Sequence, residues 1–239
     1  MTRINEIGLV DLKGKPLIQA FSGSGAIGTI LSAFLIKAFE MEQVAVIHSD
    51  SIPPVAMVKG GLIEHPIRLF QSEKLTLMSC EVSIPYNILP EFLDSLIQYY
   101  IEKEVSYIVP VGGLPVLPDN YDNGFCFGVA NNSEMISFLE NKGVELLEEG
   151  VIYGSIVESL ELCHIHGYTS CFALLAECDP GTASYWGAKQ ILQNLSNIFD
   201  FEFDENQFNT VTNTIKARIE ESTRYIREEA MDKTRESHL

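Results

Sequence analysis

Short apolar runs closed by turn residues alternate with segments whose apolar positions recur at helical spacing. The run 16–21, bounded by Gly14 and Ser22, predicts a buried strand. A glycine-rich loop over 22–28 follows, then a helix over 29–40 with Ile30, Phe34 and Ala38 on one side, and a short strand at 44–47. That order is the strand–helix–strand grammar of a parallel sheet. The runs 55–58 and 62–70 flank Gly60-Gly61, and 75–82 follows a polar turn, so this section predicts antiparallel strands. Next comes a helix with Pro90 in its first turn and an apolar stripe of Phe92, Leu93, Leu96, Ile97 and Tyr100. The run 105–111 predicts a buried strand closed by Gly112-Gly113-Leu114-Pro115.

Further along, Asn123-Gly124 marks a tight turn before a strand at 125–130, and Ser133 is placed to cap a helix that ends near Asn141, before Gly143. A helix over 154–166, with Gly167 beyond it, leads to a strand at 168–176. Asp179-Pro180 combines an N-cap residue with proline at the first helical position, ahead of a helix carrying Trp186, Ile191, Leu195 and Ile198. Asp204 and Gln207 stand in capping-box register for a last helix reaching about residue 235. Its narrow stripe of Phe208, Val211, Ile215, Ile219 and Ile226 suits contact along one edge, with the body or with a neighbouring subunit. The layout is one α/β domain over 1–203, with an added antiparallel strand section, and a helical extension over 204–239.

Charge narrows the partners. With 33 acids against 16 Lys and Arg, the net charge is −17, and a surface that acidic repels phosphate backbones and anionic lipid. Neither nucleic acid nor a membrane is the expected partner. Apolar stretches are interrupted well before the ~18 residues that a spanning helix needs. No opening segment pairs a basic region with an apolar core. The five cysteines lack CxxC spacing and read as reduced thiols of a cytoplasmic protein.

One motif invites a ligand. Gly23-x-Gly25-x-x-Gly28 has the spacing of a dinucleotide loop and follows a strand into a helix, the setting in which a pyrophosphate rests on a helix N-terminus. Asp50 is the acid available to hold a ribose, three residues beyond Ile47. The competing explanation is a tight strand-to-helix turn that needs small residues for packing, and no cofactor is assigned. His164, His166 and Cys163, Cys171, Cys178 lack the spacing of a metal site. The stretch 119–124 opens like a calcium loop but has Tyr121 in a ligand position and Ala130 where the bidentate Glu belongs. No serine has the nucleophile-elbow spacing. Glu177 and Asp179 follow a strand end, where ligands bind in open α/β sheets, although Asp179 is explained as a cap. No catalytic or metal residue is named.

The ordered segments resemble a family. They run from the 22–28 loop through Ile52-Pro53-Pro54, Gly61-Leu62-Ile63 and the Val109-Pro110-Val111-Gly112-Gly113-Leu114-Pro115 segment. Phe127-Gly128-Val129-Ala130-Asn131-Asn132, Leu174-Leu175-Ala176-Glu177 and Asp179-Pro180-Gly181-Thr182-Ala183 complete the series. Together, over about residues 7 to 200, they look like the proteasome-assembly-chaperone family in its archaeal and actinobacterial branch. The resemblance implies a three-layer α/β/α sandwich of the phosphorylase/hydrolase-like kind. It also implies a homo-oligomer without enzymatic activity or ATP dependence, which binds client proteins or proteasome subunits. Some relatives end in a hydrophobic–Tyr–any tail that docks on the proteasome. Here the last three residues are Ser237, His238 and Leu239, which depart from that pattern.

Overall fold

The computed structural model describes residues 1–116 and 125–216. A nine-stranded mixed sheet runs through the middle in the order β1-β3-β6-β7-β2-β8-β11-β9-β10. Its strands are β1 (Thr2–Glu6), β2 (Pro16–Phe21), β3 (Glu42–Ser49), β6 (Ile67–Gln71), β7 (Thr76–Cys80), β8 (Tyr107–Pro115), β9 (Cys126–Ala130), β10 (Glu145–Leu146) and β11 (Phe172–Cys178). A separate hairpin pairs β4 (Met57–Lys59) with β5 (Leu62–Glu64). β2 is parallel to both β7 and β8, and β8 to β11. The four carboxyl ends therefore lie at one edge of the sheet.

Side chains alternate between two apolar cores. Ile18, Ala20, Leu174 and Ala176 face one core, while Leu17, Phe21 and Ala173 face the other. Helices α1 (Ile27–Ala38), α3 (Ser133–Asn141) and α5 (Tyr185–Phe199) supply residues to the first, and α2 (Leu89–Glu102) and α4 (Ser155–Ile165) to the second. This is the three-layer α/β/α arrangement that the resemblance implies, built on strand side chains that alternate between the two cores and on the one-sided burial of helices.

The last helix, α6, occupies 205–216 of the described residues. Phe208 and Val211 are 2% and 3% exposed, in the chain's own core. Phe208 meets Phe34 of α1 edge to face, with ring centroids 5.2 Å apart. Ile215 is partly buried against the same core. Of the two contacts open to the stripe, with the body or with a neighbouring subunit, its first part makes the one with the body, and the core continues past the boundary drawn at residue 203. Ile219 and Ile226, the tail residues Ser237, His238 and Leu239, the 119–124 loop and the Asn123-Gly124 turn lie outside the described residues.

Several local readings change. Asp179 does not cap α5. Its carboxylate accepts from the Gly181 N–H at 2.8 Å in a turn closed by Pro180-Gly181, and Ser184 caps the helix, accepting from Gly187 N–H. Asn132, not Ser133, caps α3 by accepting from Met135 N–H. β8 continues through Gly112–Pro115 because β11 pairs with it there.

Candidate functional site

The exits of the neighbouring parallel strands β2 and β7 diverge. The chain leaves β2 over one face, through α1 to β3, and leaves β7 over the other, through α2 to β8. A crevice opens where strand exits diverge in this way, and it is the usual ligand position in open α/β sheets. Here it is a cleft of about 280 Å3. Ser22, Gly23 and Ser24 form one wall, Gly112–Pro115 another, and Val151–Ile156 a third, with Ser83 and Tyr86 at the mouth.

The glycine loop does not spread to admit a phosphate; other parts of the chain fill the space around it. A Cβ on Gly28 would stand 2.2 Å from the Phe21 carbonyl oxygen. On Gly25, which has φ +66°, it would stand 2.9 Å from Cys178 Cβ. The Gly25 carbonyl accepts from Ser184 N–H at 2.7 Å. Across the cleft wall, a Cβ on Gly113 would meet the Ser24 carbonyl oxygen at 2.4 Å. Cys178 is wedged beneath, and burial followed by the nearby Asp179 charge pushes its thiol up to about 12. Only Gly23 faces open space. Asp50 lies beyond β3, separated from β2 by β6 and β7, and is engaged by Arg3 and His48. The structure therefore does not bring Asp50 to Gly23, Gly25 and Gly28.

Among the described residues lining the cleft there is no carboxylate, amine, guanidinium, imidazole or thiol. Its polar groups are serine and tyrosine hydroxyls and backbone.

The rim is more informative than the floor. Large apolar side chains stand exposed there: Tyr86 at 72%, Val151 at 85% and Tyr153 at 62%. Phe125 precedes β9, and Trp186 lies in the first turn of α5, both at the same edge and about half exposed. The β4–β5 hairpin, inserted between β3 and β6 at this edge, adds Val55, Val58, Leu62 and Ile63. Ile7, Leu9 and Ile165 are at the opposite edge. Exposed apolar surface among the described residues is thus concentrated at one end of the sheet.

The hairpin is held firmly at its base. Arg68 in β6 is 8% exposed and donates to Glu64 of β5 at 2.8 Å and to Glu81 beyond β7. Its guanidinium also lies over the Phe70 ring, 5.3 Å from the centroid. Burial, more than its neighbours, holds His65 below the ordinary histidine value, and its Nδ1 lies 3.0 Å from the Ile67 carbonyl oxygen. Gly60 and Gly61 both have positive φ, which gives the tight turn of a two-residue hairpin. Sequence reasoning found the turn, but Arg68, Glu64 and Glu81 carry no motif, and only the rarity of a charge inside an apolar strand run signalled them.

Known proteins share this architecture. The sequence profile of the PAC2 family matches residues 17–223. An uncharacterized protein of Methanocaldococcus jannaschii is 24% identical over 215 residues, covering 89% of this chain and 87% of that one. Pyrococcus furiosus PbaA, described as an archaeal homolog of proteasome-assembly chaperone, superposes with a TM-score of 0.82 at 19% identity, over 94% of this chain and all of PbaA. P. furiosus PbaB, an archaeal proteasome activator, superposes at 0.77 with 18% identity, over 95% and 98% of the two chains. At these identities the solved structures establish the fold.

Proposed function

The chain belongs to the PAC2 family, and from that premise we propose that it is a non-enzymatic, assembly-chaperone-like protein that binds other proteins through the apolar end of its sheet. It acts in the cytoplasm as a homo-oligomer, without ATP, and its clients are 20S proteasome subunits. The observation that carries this reading is the gathering of exposed Tyr86, Val151, Tyr153, Phe125 and Trp186 at one end of the sheet, the first three around a cleft whose described lining holds no ionised group. Aromatic residues at the centre of such a patch are the side chains that dominate binding energy in protein contacts. The likeness to PbaA and PbaB supports the choice of client. So does the acidic surface, which favours a partner with basic patches.

Co-sedimentation with purified 20S α subunits, in buffer without nucleotide, tests the reading. A complex at micromolar concentrations is expected, unchanged by added ATP. Its absence with folded protein would count against it. Removing Ser237, His238 and Leu239 in a parallel sample separates a contribution of the tail from that of the folded face.

A further inference from the structure

We infer that the β4–β5 hairpin is a self-association arm, and that its Val58–Ile63 face seats against the Tyr86–Val151–Tyr153 rim of a second copy of this chain. Val58 and Ile63 are directly paired across the hairpin, so their side chains share one face. They are 70% and 79% exposed. An isolated two-stranded hairpin is marginal in water, and here it carries its apolar side outward on a base fixed by Arg68, Glu64 and Glu81. A preorganised arm loses little freedom when it docks.

Charge selects the occupant. Two copies of a chain at −17 repel over most of their surface, so they can meet only where charge is sparse. The hairpin segment 51–64 holds one base, Lys59, and one acid, Glu64, and is neutral. The rim segments 82–90 and 150–157 contain no charged residue at all. These uncharged segments converge on the same end of the sheet, one as a protrusion and the others around a recess. A second copy presents an apolar arm of matching neutrality, and a client protein that binds this end competes with that arm for the rim. A two-fold pairing makes the contact twice, each arm on the other copy's rim.

The inference rests on the homo-oligomer in the function proposed above, and the test separates the two. All five native cysteines are buried, so a thiol introduced at the surface reports alone. Ile63→Cys and Tyr153→Cys proteins are mixed and oxidised with copper phenanthroline, while light scattering measures the mass of the wild type and of Ile63→Glu. The expected result is a wild-type oligomer and a cross-linked species in the mixture but in neither variant alone. Ile63→Glu should raise the half-assembly concentration about tenfold or more. A wild-type oligomer with no cross-link and no response to Ile63→Glu would overturn the arm while leaving self-association standing. Cross-linking of Ile63→Cys alone would overturn the rim as its seat, and a monomeric wild type would overturn both. Ile165→Glu, at the exposed opposite edge, serves as the control that leaves assembly unchanged.

Discussion

Helix α1 starts in contact with the strand that feeds it: a Cβ on Gly28 would stand 2.2 Å from the carbonyl oxygen of Phe21. The neighbour is backbone at the end of a buried strand and cannot swing aside. Gly28→Ala should therefore cost about 3 kcal/mol, the upper part of the range for overpacking. Gly23 has an extended backbone and nothing within 4 Å of an added Cβ, so Gly23→Ala should change stability by less than about 0.5 kcal/mol. Urea unfolding of the two variants checks both values. Equal losses would show that the loop is not packed as described.

Arg68 and Glu81 form an ion pair whose side chains are 9% and 6% exposed. Glu81→Gln leaves the buried Arg68 with only the partly exposed Glu64 to compensate it, so the substitution should cost about 3 kcal/mol. The pair between Arg3 and Asp50 is half exposed, and solvent screening makes Asp50→Asn far milder. Thermal unfolding of both proteins gives the comparison. A mild Glu81→Gln would remove the anchor from the hairpin's base.

Burial pushes the thiols of Cys80 and Cys126 up to about 12, as it does Cys178, and all five cysteines are buried. The thiolate is the reactive form. A disulfide reagent at pH 8 should therefore titrate almost no thiol in the native protein and all five after denaturation. Rapid native reaction would expose a gap beneath the glycine loop, where Cys178 lies.

Because the loop is packed against Phe21, Cys178 and Ser184, NAD and ATP should leave the melting temperature unchanged at millimolar concentration. A ligand present at a hundredfold above its Kd would stabilise the native state by about 2.7 kcal/mol, a shift easily seen in a thermal scan. Such a shift would restore the nucleotide reading of Gly23, Gly25 and Gly28.

Much of the sheet was legible because a strand buried on both faces reads as a continuous short apolar run and a helix buried on one side as a stripe every three to four residues: β2 and the α2 stripe lie where these patterns put them. β1 was not legible. Its sequence, Thr-Arg-Ile-Asn-Glu, has one apolar residue, since an edge strand packs only one face and pairs on one side. β8 was cut short at the glycines because close backbone approach and a turn call for the same residue; Gly113 is there for the Ser24 carbonyl. Pro110 lacks an N–H, and the ladder to β11 lapses between the Ile108–Cys171 bridge and the Val111–Leu174 pair. The candidate face was the least legible part. Tyr86, Val151 and Tyr153 are scattered over loops with no local pattern, and only the topology brings them to one end.

The central claim is that this apolar end holds partner proteins. The most direct measurement is nucleotide-free co-sedimentation of 20S α subunits with the wild type and with a Tyr86→Lys/Tyr153→Lys variant of unchanged melting temperature. Both tyrosines are well exposed, so the fold should survive the change. A complex with the wild type that weakens at least about tenfold in the variant is the predicted result. Equal binding by the two proteins, or none by the folded wild type, would contradict it.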